Sequence, residues 1–199
     1  MSVSLQKGQK VSLSKGTGGG GLSSVVVGLG WDEVQQKKGF FGSRRDIEDI
    51  DCDAAVFLLK DSHLTQKEDM VYFGNLKHFS GAVSHMGDNL TGGGDGDDEQ
   101  IWVDLSMLPQ EYDRVVFVVS IFQARIRKQH FGMIQNAYIR IMDGTTQAEL
   151  CRYDLNDNYT GQTAMIFGEI YRYNGEWKFS AIGQATTDNS IQEIAQRYQ

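Results

Sequence analysis

Thr163 to Gln184 reads TAMIFGEIYRYNGEWKFSAIGQ. Its two apolar runs, Met165 to Tyr173 and Trp177 to Ile182, are strand-sized and are separated by Asn174-Gly175. That dipeptide tolerates the positive φ values of a type I′ turn, so the stretch predicts an antiparallel hairpin. Asp143-Gly144 predicts another, between Ala137 to Met142 and Leu150 to Leu155. Alternating or β-branched runs also occur at Val3 to Leu5, Val11 to Leu13, Leu22 to Leu29, Ala54 to Leu59, Met70 to Phe73, Ile101 to Leu105 and Val115 to Phe122. Helix signals are few. Ser190 and Glu193 form a capping-box pattern ahead of Ile191, Ile194, Ala195 and Tyr198, predicting a short C-terminal helix, and a weaker one is read over Gln123 to Met133. About eleven strands with little helix predict an all-β chain: a β-sandwich of two mostly antiparallel sheets with loops gathered at its ends.

Composition agrees. The chain has 199 residues, of which 40% are hydrophobic and 23% charged, and it has no apolar run of membrane-spanning length, so a soluble globular domain is expected. Proline occurs once, at Pro109, against 23 glycines, which favours reversal through positive-φ turns. The net charge of -7 argues against a nucleic-acid-coating role. That charge is local: Met86 to Asp113 holds eight acidic residues and no Lys or Arg, leaving the rest of the chain at +1. Cys52 and Cys151 lie in apolar stretches without metal-binding or redox spacing and are read as buried reduced thiols. The start, MSVSLQKGQK, carries no signal-peptide core, so a cytoplasmic location is expected.

Gly16 to Gly21 formally fits G-x-G-x-x-G, yet a strand follows where a dinucleotide site needs a helix, and no Lys follows as in a P-loop. It reads as a hairpin connection. The basic stretch KKGFFGSRR, Lys37 to Arg45, either folds Phe40 and Phe41 over the core or docks on an anionic membrane surface.

The acidic stretch has more chemistry. GDNLTGGGDGDDE, Gly87 to Glu99, packs five carboxylates and one side-chain amide among glycines. Carboxylates so close repel unless solvent or a cation screens them. Hard oxygen donors, with glycines that let carbonyls turn inward, suit Ca²⁺, whereas the lack of thiol and imidazole disfavours zinc or copper. An EF-hand is excluded: counted from Asp88, Leu90 and Gly92 occupy ligand positions, and a strand follows instead of a helix. A repeat-in-toxin turn is excluded because there is one copy. A solvated acidic loop without metal stays open on these residues alone. A second acidic set, Asp46, Glu48, Asp49, Asp51 and Asp53, leads into the strand Ala54 to Leu59. In Asp51-Cys52-Asp53 the two carboxylates share one strand face about 7 Å apart and could hold one ion or bridge two.

GLGWD (Gly28 to Asp32), DCDAAVFLL (Asp51 to Leu59), GDNLTGGGDGDDEQIWVDL (Gly87 to Leu105), FGMIQNAYIRI (Phe131 to Ile141), RYDL (Arg152 to Leu155) and the opening Thr163 to Gln184 stretch, in this order, resemble the TerD family of bacterial tellurite-resistance and general stress proteins. The match covers nearly the whole chain as one domain, 1–199, and its most specific element is Thr91 to Glu99. The resemblance implies a calcium-binding β-sandwich with no established enzymatic activity. Relatives include proteins described as binding cyclic AMP. Carried over, the metal set is Asp32, Asp51, Asp53, Asp88, Asn89, Asp97, Asp98 and Glu99. Two departures stand out: Gly93 and Asp95 occupy positions where many members carry Glu, and the Trp31 to Asp51 connection is long.

No G-x-S-x-G, H-E-x-x-H or cysteine-protease signature is present, and His63, His78, His85 and His130 stand singly. His85, near the acidic loop, is the one weighed as a general base, against a plain hydrogen-bonding role. Direct tellurite reduction would need reactive thiols or a redox cofactor. The sequence is therefore read as a calcium-binding stress-response protein, not an enzyme, that acts on partners, among them other stress or tellurite-resistance proteins. The alternative is a small-ligand module of the cyclic-nucleotide-binding kind.

Overall fold

The computed structural model describes residues 2–13, 22–33, 50–88 and 96–199. Twelve strands are found among them: β1 (Val3–Leu5), β2 (Lys10–Ser12), β3 (Ser24–Glu33), β4 (Cys52–Leu59), β5 (Met70–Val71), β6 (Val83–Asp88), β7 (Glu99–Asp104), β8 (Arg114–Ile121), β9 (Ile134–Asp143), β10 (Glu149–Asp154), β11 (Ala164–Tyr173) and β12 (Glu176–Thr186). Two helices accompany them, α1 (Ala124–Arg127) and α2 (Ile191–Ala195). The first sheet has the order β1-β10-β9-β3-β7-β6 and the second β2-β12-β11-β8-β4-β5. All neighbours are antiparallel except β1 with β10. This is the two-sheet sandwich that the strand pattern predicts.

Inward-facing residues of both sheets, among them Val27, Leu29, Val56, Phe117, Ile139, Phe167 and Phe179, form one apolar core. The second sheet is also covered on its outer face. There Ala55, Phe57, Leu59, Val116, Val118 and Ile166 pack under Ile191, Ile194 and Ala195 of α2. A sheet buried on both sides needs apolar residues at consecutive positions, which is why Val115 to Val119 reads as an unbroken run instead of an alternation.

The hairpin turn at Asn174 (φ 52°) and Gly175 (φ 78°) forms as expected, with Tyr173 opposite Glu176. The Asp143-Gly144 connection is wider than the two-residue turn expected. The Asp143 carboxylate accepts from the amides of Thr145 and Thr146, and the positive φ falls on Gln147. Gly144 is needed for close approach, because a Cβ there would collide with Ser24. The helix expected over Gln123 to Met133 shrinks to α1 and a 3₁₀ turn, Phe131–Met133. At the C-terminus Ser190 Oγ accepts from the Glu193 amide at 3.2 Å, capping α2 as predicted.

Gly168, at the bulge of β11, permits another close approach. A Cβ there would lie 2.7 Å from the Phe179 ring and 2.8 Å from the Ser180 carbonyl oxygen. Gly168→Ala is expected to cost about 1–3 kcal/mol through overpacking, read as a fall in the urea midpoint. An unchanged midpoint would mean that the strand pair relaxes freely.

Candidate functional site

The connectivity brings the acidic positions of the sequence to one end of the sandwich. β3 ends with Glu33 beside Ile134 and carries Leu29 beside Glu99, and Asp88 at the end of β6 is paired with that same Glu99. In the second sheet β4 begins with Cys52 opposite Ile121, the last residue of β8. The chain then crosses from β8 to β9 through residues 122–133, and the Phe131 amide donates to the Gln162 carbonyl across the gap at 2.8 Å. Asp32, Asp51, Asp53, Asp88, Asp97, Asp98 and Glu99 therefore share this end. Asn89 and the Gly16 to Gly21 and Lys37 to Arg45 motifs lie outside the described residues.

Their side chains serve different surroundings. Asp32 is exposed, and its Oδ2 accepts from Asn136 Nδ2 at 2.7 Å. Asp51 is exposed just before β4, and its carbonyl accepts from the Phe122 amide. Asp53 lines a cleft of roughly 320 Å³ on the outer side of the second sheet, with Ser120, Phe122, Arg125, Ile126 and Asn189 among its walls. Asp98 Oδ2 accepts from the Trp31 amide at 2.7 Å, and its own amide donates to the Leu29 carbonyl. Glu99 points inward, with the His85 Nε2 3.2 Å from its Oε2. Because the Gly87 amide donates to His85 Nδ1, the ring proton sits on Nε2 and faces Glu99. The histidine weighed as a general base is thus nearly enclosed, its side chain only 3% exposed.

Asp97 is the most enclosed of the group. Its carboxylate, 0% exposed, accepts from Tyr138 Oη (2.9 Å), Arg140 Nε (2.7 Å) and Nη2 (3.0 Å), and Gln100 Nε2 (2.9 Å). Burial, and then the hydrogen bond to Asp97, push the Tyr138 hydroxyl above its ordinary range, so it stays a donor. The hydrogen bond to Asp97 likewise raises Arg140. A Cβ on Gly28 would collide with the Asp97 carboxylate, and one on Gly30 with the Tyr138 ring. The two glycines of GLGWD are therefore seats for these side chains.

Among the described residues, no three His, Cys, Asp or Glu side chains form a group that could hold a metal ion. Both cysteines are free and buried, and burial pushes the Cys151 thiol up to about 12. His78 does not stand alone as its sequence position suggests. Its Nε2 donates to Asp69 Oδ1 at 3.2 Å, since a carboxylate can only accept, and its Nδ1 accepts from Ser80 Oγ at 2.7 Å. This Ser-His-Asp line resembles a nucleophile relay, but the imidazole is 0% exposed and Ser80 Oγ accepts from the Ala82 amide. It closes a turn.

Sequence reasoning missed Tyr138, Arg140, Asn136 and the Asp69 group. Tyr138 and Arg140 are two apart in a strand and share a face, which the sequence does carry. What it does not carry is their partner, 41 and 43 residues away.

Fold and site together define a two-sheet β-sandwich protein with an oxygen-rich acidic end. The family model of the TerD domain matches residues 1–198, and the chain belongs to that family. It is 50% identical over 200 residues to the stress response protein SCP2 of Bacillus subtilis (strain 168), covering 100% of each chain. It is 45% identical over 185 residues to the tellurium resistance protein TerD of Serratia marcescens, covering 92% of this chain and 91% of the other. A crystal structure of a homologue of the telluride resistance protein TerD, SCO6318 from Streptomyces coelicolor A3(2), superposes with a TM-score of 0.65. It covers 90% of this chain and 99% of its own at 22% identity, and so speaks for the fold alone. Among the described residues, no helix is long and apolar enough to cross a membrane.

Proposed function

We propose that this chain is a cytoplasmic calcium-binding member of its stress-response family that acts without catalysis, calcium at the acidic end governing its contacts with other stress or tellurite-resistance proteins. The observation that supports the reading best is that Asp32, Asp51, Asp53, Asp88 and Asp98 all stand at one end of the sandwich, although no three described acidic side chains form a group there. The donors are hard oxygens, as Ca²⁺ requires, and Asn89 belongs to the same set by sequence. Calcium would supply charge neutralisation there; Asp98, tied to β3, and Asp51, tied to the β8 exit, hold the two sheets' contributions in place. The two buried thiols, with Cys151 held protonated, support indirect resistance over reduction of tellurite by this chain.

Calorimetric titration of the full chain tests the reading. Asp98→Asn and Asp53→Asn are each expected to weaken calcium about tenfold or more, the loss of one charged ligand, and to be non-additive in the double variant. No heat with the unaltered chain would overturn the proposal, and additive losses would divide the site in two. The cleft beside Asp53 favours the second reading, because about 300 Å³ is the lower bound for small-molecule pockets. A thermal-shift panel of nucleotides tests it, and a shift that survives chelation would favour it over calcium.

A further inference from the structure

We infer that Asp97 is not a ligand of the proposed calcium site but its anchor, and that Arg140 and Tyr138 are positioning residues holding the exit of the acidic loop in its binding geometry. The inference rests on the calcium reading and deepens it. An ionised carboxylate has about four lone-pair sites. On Asp97 all four are taken: Oδ1 accepts from Tyr138 Oη and Arg140 Nε, and Oδ2 accepts from Arg140 Nη2 and Gln100 Nε2. A guanidinium already lies within 3.0 Å of both oxygens, so a divalent cation there would have to displace hydrogen bonds and sit beside a positive charge.

The anchor reaches across four strands. Asp97 leads into β7 and lies over Gly28 of β3, while Tyr138 and Arg140 come from β9. From β10, Arg152 lies 3.6 Å above the Tyr138 ring and is itself bonded to Asp154, and Glu149 stands 3.6 Å from Arg140 Nη1. The next residue, Asp98, is fixed to β3 through Trp31 and Leu29. The two aspartates thus divide the work: Asp97 fixes the loop exit to the sheet face, and Asp98 stands at the strand end where the other acids gather. Groups that orient metal ligands without touching the metal commonly matter tenfold to a hundredfold in affinity.

Arg140 gives the inference a sign. If Asp97 is an anchor, Arg140→Gln is expected to weaken calcium about tenfold or more; if Asp97 were a ligand, removing its competing cation would leave affinity equal or tighter. The experiment uses the full chain with Arg140→Gln, Arg140→Lys, Tyr138→Phe, Asp97→Asn and the Asp97→Asn/Arg140→Gln pair. It reads calcium affinity by calorimetry, and hydrogen exchange at amides 96–100 and 115–121 in chelator. The expected result is weaker binding for Arg140→Gln and for Asp97→Asn, a smaller loss for Tyr138→Phe, no further loss in the Asp97→Asn/Arg140→Gln pair, and partial rescue by Arg140→Lys. Exchange should quicken at 96–100 while the β8 amides keep their protection, which a general loss of structure would not produce. Should Arg140→Gln fail to fold, Tyr138→Phe, which removes one hydroxyl, carries the same test with a smaller effect. Unaltered or tighter calcium binding in Arg140→Gln overturns the inference. If the unaltered chain binds no calcium, the calcium reading fails, and exchange at 96–100 still decides the anchor: unchanged exchange overturns it, and faster exchange upholds it.

Discussion

Millimolar calcium is expected to raise the melting temperature of this chain by about 5–10 °C over the same chain in chelator. A ligand that binds only the folded state contributes about 2.7 kcal/mol at one hundred times its Kd. For a domain of this size each kcal/mol is worth about 2–4 °C. The driving force expected for it is electrostatic. Residues 86–113 hold eight carboxylates and no basic residue, and the fold returns several of them, with Asp32, Asp51 and Asp53, to one sandwich end. Magnesium is expected to do less, because its rigid octahedral shell at about 2.1 Å keeps its waters and fits a many-carboxylate site poorly. Sodium chloride of equal ionic strength is the control, since screening alone would be reproduced by it. Equal melting in calcium and in chelator would remove calcium from the account of this protein.

Much of the fold was legible because its signals are local. Asn174-Gly175 turns a hairpin by its own backbone preferences, and Ser190 caps α2 from three residues away. Misreadings arose where a distant contact decides. Gly144 looks like a turn glycine but is there to make room for Ser24. β6, Val83–Asp88, escaped because its sequence, VSHMGD, has little apolar alternation, and its inward positions are Val83 and a histidine that faces Glu99. The candidate site divides in the same way. The motifs gave the acidic positions and the D-x-D spacing fixed a shared face, but nothing local says that Asp53 faces the α2 side while Cys52 faces the core. Nor can a string of aspartates reveal which one meets an arginine. Asp97 and Asp98 are adjacent and chemically identical, and only the fold distinguishes a carboxylate saturated by Arg140 and Tyr138 from one that bonds a backbone amide.

Asp69→Ala is expected to destabilise the chain by about 3–5 kcal/mol, the range for removing one partner from a buried charged network. The Asp69 side chain is 0% exposed, and its Oδ1 accepts from Tyr112 Oη (2.6 Å), Gln66 Nε2 (2.9 Å) and His78 Nε2 (3.2 Å). Alanine would leave the Tyr112 hydroxyl and the His78 N–H buried without an acceptor, each worth about 1–3 kcal/mol when orphaned. Lys60, paired with Glu111 at 2.8 Å and lying 4.7 Å over the Tyr112 ring, closes the group from the surface side. The carboxyl also sets the acid limit of this region. Burial alone would raise Asp69, but the hydrogen bonds from Tyr112, Gln66 and His78, with the charge of Lys60, outweigh it and hold the group below its ordinary value. A depressed carboxyl contributes stability that is full above the unfolded-state value, about 4, and is lost as pH falls through the folded one. Melting temperatures from pH 7 down to pH 2 should therefore fall less steeply below pH 4 in Asp69→Asn, which cannot ionise, than in the unaltered chain, although the variant starts lower at pH 7. Parallel curves would mean that Asp69 titrates alike folded and unfolded, and an Asp69→Ala chain melting within about 1 °C of the original would show that the Tyr112–His78 group holds nothing together.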